Sequence, residues 1–203
     1  MPTGVAIRDV REQLFDAAER VLLRDRPDAL TSRAVTAEAG VAKGVLHRHF
    51  ADFDAFLAEF VLDRVGRMDA QAAALLGSAG TGTVVGNLVG ALTAVFGSIA
   101  LKVVALITFR FDLRARLRRD LPAGVPVLTQ AAEMMTAYLA AEQELGRVAA
   151  DADVDALGPT LIGAGHLLFA GQAGDPPEPE AVRKVVTTVV GGVLPPAALR
   201  DGA

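Results

Sequence analysis

Residues 31–60 read TSRAVTAEAGVAKGVLHRHFADFDAFLAEF. Two short helical stretches, 32–39 and 42–50, flank Ala39-Gly40-Val41. Helices of under three turns are not stable alone in water, so both must pack on longer neighbours. Gly40 can take the positive φ that a tight turn between helices demands, because it has no Cβ. Val35, Ala39, Val41, Leu46 and Phe50 can turn inward together, with Leu46 and Phe50 four residues apart on one face. That leaves Lys43, His47 and, on a neighbouring face, Arg48 pointing outward. Stretch 42–50 holds a lysine, an arginine and two histidines, and no acid. The whole chain carries 20 Lys+Arg against 24 Asp+Glu, a net charge of -4. A short acid-free helix after a glycine turn is what reading the major groove of DNA requires. Gly44 near its start lets backbone approach a phosphate, and a helix N-terminus favours anions.

Helical spacing extends outward on both sides. Leu14, Ala17, Ala18, Val21 and Leu22 fall at i, i+3, i+4, i+7, i+8, one face of a first helix that ends at residues 24–28 around a proline. Asp52 is a good N-cap for a helix over 53–76 carrying Phe53, Phe56, Leu57, Phe60 and Val61. Residues 77–83 read as a flexible linker. Further helices are predicted near 83–107, broken around Gly97, and over 111–120, 126–145, 153–170 and 180–193. Gly146 suits the residue after a helix end, and Asp153 or Asp155 suits a helix start. A turn is predicted at 174–179. No hairpin signal lies between alternating apolar runs. The fold class is all-α: an N-terminal three-helix helix-turn-helix domain (1–52) and a larger C-terminal helical domain (53–203), nine or ten helices in all.

Composition bounds the function. The chain has 203 residues and no cysteine, which excludes disulfides, thiolate metal sites and cysteine nucleophiles. No apolar run of signal-peptide length follows the charged N-terminus, so a cytoplasmic location is expected. Mean hydropathy is +0.37, high for a soluble chain. Residues 84–101 are just long enough to cross a bilayer. Asn87, Thr93, Ser98 and three glycines in that stretch argue for a buried helix, and no membrane partner is expected. The glycines at 77–82 lack the Lys-Ser/Thr of a phosphate loop. His47 and His49 are two apart and share no helix face, so they cannot share an ion. Asp151, Asp153 and Asp155 begin like a calcium loop, but Ala156 and Ile162 stand where it needs glycine and glutamate. No catalytic constellation appears, and neither enzyme activity, a metal nor a cofactor is expected.

The segment resembles the DNA-binding region of the TetR family of transcriptional repressors. Leu30, Thr31, Arg33, Val35, Ala39, Gly40, Val41, Ala42, Gly44, Leu46, His49 and Phe50 match that family's pattern with the right spacing. The resemblance spans about residues 8–65, and the remainder matches in layout only. Thr36 stands at the family's usual alanine. His47 stands at its usual tyrosine and Phe53 at its usual lysine, both phosphate-contacting positions. The resemblance implies a ligand-responsive regulator, a repressor, that binds double-stranded palindromic operator DNA as a homodimer and is released by a small-molecule inducer. The candidate DNA-binding residues are Thr31, Ser32, Arg33, Ala42, Lys43, Gly44, Val45, His47, Arg48 and His49.

The resemblance also implies an inducer pocket among the middle helices. Apolar cavities with a few polar groups hold small molecules. Asn87, Thr93, Phe96, Thr108, Gln130, Met134, Tyr138 and His166 are its candidate lining, for an apolar or amphipathic ligand. The last two helices expose more apolar surface than a small domain covers. Leu157, Leu161, Leu168, Val182, Val186 and Val189 are the candidate dimer interface, and the glycines at 163, 165, 191 and 192 would allow close approach. Arg110, Arg114, Arg116, Arg118 and Arg119 form a dense cluster. It reads either as a solvated helix face or as a contact with the DNA-binding domain, DNA or an acidic partner. A small helical membrane protein and a helical small-molecule-binding module without DNA activity are the alternatives at this level.

Overall fold

The computed structural model describes residues 4–25, 27–97, 99–171 and 176–195. The turn expected at 174–179 lies partly outside them. Among the described residues there are ten α-helices, two short 3-10 turns and no strand. The helices are α1 Gly4–Arg24, α2 Ser32–Glu38, α3 Val45–His49, α4 Phe53–Gly77, α5 Val84–Phe96, α6 Ala100–Phe109, α7 Phe111–Leu117, α8 Leu128–Glu144, α9 Val154–Ala170 and α10 Pro179–Val190. The break around Gly97, the N-cap at Asp153 and the positive φ of Gly146 (72°) fall where the sequence puts them. Among the described residues no single helix is long and apolar enough to cross a membrane; α5 and α6 pass that test of length and composition only as a pair, bent by 52°.

The chain divides into two compact units. Residues 1–64 and 102–123 form one unit; residues 65–101 and 124–203 form the other. Helices α4 and α6 each run from one unit into the other.

In the first unit the apolar stripe of α1 (Leu14, Ala17, Ala18, Val21, Leu22) is fully buried. Phe15 of α1 meets Phe50, Phe56 and Phe60, with ring centroids 5.6–6.0 Å apart. Phe50 stands edge-on to Phe56 at 5.1 Å, a favoured aromatic geometry. Arg64 is buried here, paired with Glu19 and Asp63 and lying over the Phe60 ring. Its acids make the burial of a charge tolerable.

In the second unit the valines of α10 at i, i+4 and i+8 (Val182, Val186, Val190) face inward, and α10 packs on α5 and α9. Of the residues expected at a dimer interface, Leu161, Val182 and Val186 are buried within their own unit, while Leu157, Leu168 and Val189 stay partly exposed. Gly165 also serves the unit itself. A Cβ there would meet Phe96 at 2.8 Å and Leu92 at 3.0 Å, so glycine is what lets α9 approach α5.

Candidate nucleic-acid interface

Helix α2 starts on the Thr31 side chain, which accepts from Ala34 N at 3.1 Å. It ends at Gly40, whose φ is 67°, a value only glycine takes without strain. Thr36, at the usual alanine, is buried, and its hydroxyl donates back to Ser32 O (2.9 Å) and Arg33 O (3.3 Å). The extra polar group is thus satisfied within its own helix.

The recognition helix is shorter than the sequence suggests. It runs Val45–His49, and Ala42, Lys43 and Gly44 form the turn that leads into it, closed by Val45 N donating to Ala42 O at 2.9 Å. Glycine N-caps poorly through side chains, having none, so the first turn is loose. Leu46 is fully buried beneath the helix and Phe50 closes its end. Lys43, Gly44, His47 and Arg48 are exposed, as are Thr31, Arg33 and Ala42; Ser32, Val45 and His49 are half-buried.

The residues that aim this surface carry no signal in the sequence. Gln13 Nε2 donates to Ala39 O at 2.8 Å, pinning the end of α2. Arg11 donates to His49 O (3.4 Å), lies 4.5 Å over the Phe50 ring and pairs with Glu59. Glu38 takes Arg20 and Arg24 at 2.8 Å each, and these two guanidinium groups hold its carboxyl below the usual glutamate range. Such pairs connect helices far apart in sequence, so no local pattern reveals them.

The arginine cluster proves to contain two fastening points. Arg110 donates to Leu30 O at 3.0 Å, approaches Asp54 at 3.5 Å and lies 5.4 Å over the Phe53 ring. Arg116 pairs with Asp52 at 2.8 Å. Asp52 also N-caps α4 by accepting from Ala55 N at 2.6 Å; that bond first, then Arg116, lowers its pKa. Phe53 is therefore a platform for Arg110, stacked in turn on Phe56 at 5.6 Å.

In the second unit a cleft of about 330 Å³ is lined by Gln71, Leu75, Ser78, Asn87, Gly90 and Met134, among others. Asn87 Nδ2 donates to the Tyr138 hydroxyl at 2.9 Å, and that hydroxyl donates to Glu142 at 2.5 Å. Glu142 is fully buried and also takes Arg147 at 3.4 Å. Burial first, then the Glu142 hydrogen bond, raises the Tyr138 pKa well above the usual phenol range. Of the expected lining residues, Asn87 and Met134 border the cleft and Tyr138 adjoins it through Asn87. Phe96 and His166 instead meet each other at 6.1 Å, beside Phe169. Thr93 and Thr108 are exposed and bond to their own helices, and Thr108 belongs to the other unit. Gln130 accepts from Val127 N at 2.8 Å, capping α8. A lone threonine or glutamine in a helix satisfies itself on nearby backbone, which composition does not reveal.

A three-helix unit with a glycine-turned pair of short helices, an outward basic residue set and an all-helical remainder defines a helix-turn-helix DNA-binding protein. Residues 14–60 match the family model of bacterial regulatory proteins, tetR family. A protein from Mesorhizobium loti MAFF303099 assigned as a TetR-family transcriptional regulator shares the fold at TM-score 0.65, with 14% identity over 90% of this chain and 93% of that one. So does one from Saccharomonospora viridis assigned as a transcriptional regulator, solved in complex with choline (TM-score 0.67, 17% identity, 93% and 99% covered). The transcriptional regulator FadR from Bacillus subtilis, in complex with stearoyl-CoA, follows at TM-score 0.62 and 17% identity, with 90% and 98% covered. No curated protein matches the chain. Residues 14–60 thus match the DNA-binding domain of the tetR family, and the chain shares its all-helical fold with these regulators.

Proposed function

We propose that the protein is a repressor that binds palindromic operator DNA as a homodimer and leaves it when a small apolar or amphipathic molecule occupies its second unit. The observation that carries the DNA reading is the outward set Lys43, His47 and Arg48 on a turn and helix with no acid, above a fully apolar base. A positively charged surface in an acidic chain attracts phosphate locally whatever the net charge. The relatives solved with choline and with stearoyl-CoA support a ligand-binding second unit, and the cleft beside Asn87 is the place proposed for it here. Its small apolar walls, with Gln71, Ser78 and Asn87 as the polar groups, suit an uncharged or amphipathic guest. For release, the guest must bind the DNA-incompetent arrangement better than the competent one.

The test is retardation of the DNA upstream of the protein's own gene. Wild type should retard it, and Lys43→Ala should weaken binding and flatten the salt dependence by about one unit if Lys43 meets a phosphate. If it meets a guanine edge, discrimination should instead fall by about 1–3 kcal/mol. Retardation by Lys43→Ala indistinguishable from wild type would remove this surface from the interface.

A further inference from the structure

The segment from Arg110 to Asp120 carries five arginines and two aspartates in a chain of net charge -4. Only Arg110 and Arg116 are used to fasten it, on Leu30, Phe53 and Asp54 and on Asp52. The side chains of Arg114, Arg118 and Arg119 are exposed and have no partner among the described residues. Arg114 and Arg118 are four residues apart, one turn of α7, so they share a face. An acid that could neutralise them is poorly placed: Asp112 is two residues from Arg114 and shares no face with it. The fastening points also fix where this charge sits. Leu30 directly precedes the cap of α2, and Asp52 lies three residues past His49, so the segment is fastened to residues on both sides of the α2–α3 pair. In the same place the Phe53 ring lies under Arg110.

We propose that Arg114, Arg118 and Arg119 of the α7 segment are an auxiliary DNA contact, gripping backbone phosphates of the duplex beside the recognition helix. The proposal rests on the DNA-binding reading above. Guanidinium groups suit phosphate oxygens, which they can meet with two parallel hydrogen bonds. The contact carries no base information, because phosphate contacts position a protein without reading sequence. It supplies affinity that does not depend on sequence.

The experiment uses the full chain and two duplexes, the upstream DNA and a random sequence, with binding followed by fluorescence anisotropy from about 50 to 200 mM salt. The variants are R114Q/R118Q/R119Q and R114K/R118K/R119K. These side chains are exposed, so both variants should melt with wild type. The glutamine triple should lower the slope of log K against log salt by about 0.9 for each phosphate lost, up to about three contacts. Its affinity loss should be the same fold on both duplexes. The lysine triple should keep most of the slope, because charge is what is read. Phe109→Ala with Phe111→Ala, which strips exposed apolar area from the same segment without touching charge, should leave the slope unchanged. A glutamine triple with the wild-type slope would overturn the proposal in favour of a solvated face or a surface for an acidic protein. A loss confined to the upstream duplex would overturn it too, since phosphates do not discriminate. If Lys43→Ala weakens binding while the glutamine triple does not, only the auxiliary contact fails. If wild type binds neither duplex, the DNA-binding reading fails with it.

Discussion

At Phe53 an aromatic ring lies under the Arg110 guanidinium. A cation over an aromatic face at a partly exposed site contributes about 0.5–1 kcal/mol. Phe53→Lys should therefore lower stability to urea by about that much, yet steepen the salt dependence of DNA binding by about one unit as the lysine reaches phosphate. Urea unfolding and a salt titration of the same protein would check both arms, and an unchanged salt slope would deny the position any access to DNA. Glu142 is the opposite case, a charge enclosed rather than displayed. Its carboxylate is fully buried between Tyr138 and Arg147. Losing Glu142 leaves the buried Tyr138 hydroxyl without its acceptor, about 1–3 kcal/mol, while Arg147 is partly exposed and can be hydrated. Glu142→Ala should lose that much by chemical denaturation, and Tyr138→Phe about 1–3 kcal/mol for the hydrogen bonds it leaves unmade.

Among the elements, α2 depends on a turn and on a pair of arginines. Gly40→Ala should cost about 1–2 kcal/mol, since φ of 67° brings Cβ against the following carbonyl. Glu38, with its pKa held down by Arg24 and Arg20, stabilises the fold where it is ionised in both states. The stability gap between wild type and Glu38→Gln should be full above about pH 4.5, near the unfolded glutamate value, and should vanish as pH falls through the lower folded value. A gap that grows on acidification would contradict this ion pairing. Most element boundaries are legible in the sequence, because the apolar stripe of α1, the break at Gly97 and the cap at Asp153 are local signals. The recognition helix is the exception. Its apolar spacing extends over 42–50, but Gly44 lacks a capping side chain, and the turn at Ala42 wins over helix continuation. The exposure of Lys43, His47 and Arg48 is legible for the same local reason as the boundaries. Arg11 and Gln13 are not, because each acts on a residue that only the tertiary fold brings near. The α10 valines form the expected stripe and bury it at another destination. A periodic apolar face says that it is buried, and it does not say against which chain.

For the molecule as a whole, that ambiguity decides how an operator could be read twice. Two half-sites about one helical turn apart, roughly 34–36 Å, call for a two-fold dimer. Since Val182 and Val186 lie inside their own unit, the proposed partner surface moves to the outer side of α9. There Thr160, Gly163 and Leu167 are exposed and Leu157, Ala164 and Leu168 partly so, with no charge among them. Leu167 is 76% exposed, a large apolar side chain with no role inside the unit. A Cβ added at Gly163 would meet nothing within 4 Å, so a second helix could come close. Two substitutions separate an inner face from an outer one. Leu167→Glu should leave the melting of a monomer intact while breaking the dimer, so that light scattering gives half the mass and operator affinity falls because each half-site must be bound alone. Val186→Glu should instead unfold the unit, because an unpaired carboxylate in an apolar core costs several kcal/mol. If Leu167→Glu stays dimeric and Val186→Glu becomes a folded monomer, the partner surface lies on α10 after all, and the valine stripe must turn outward in solution.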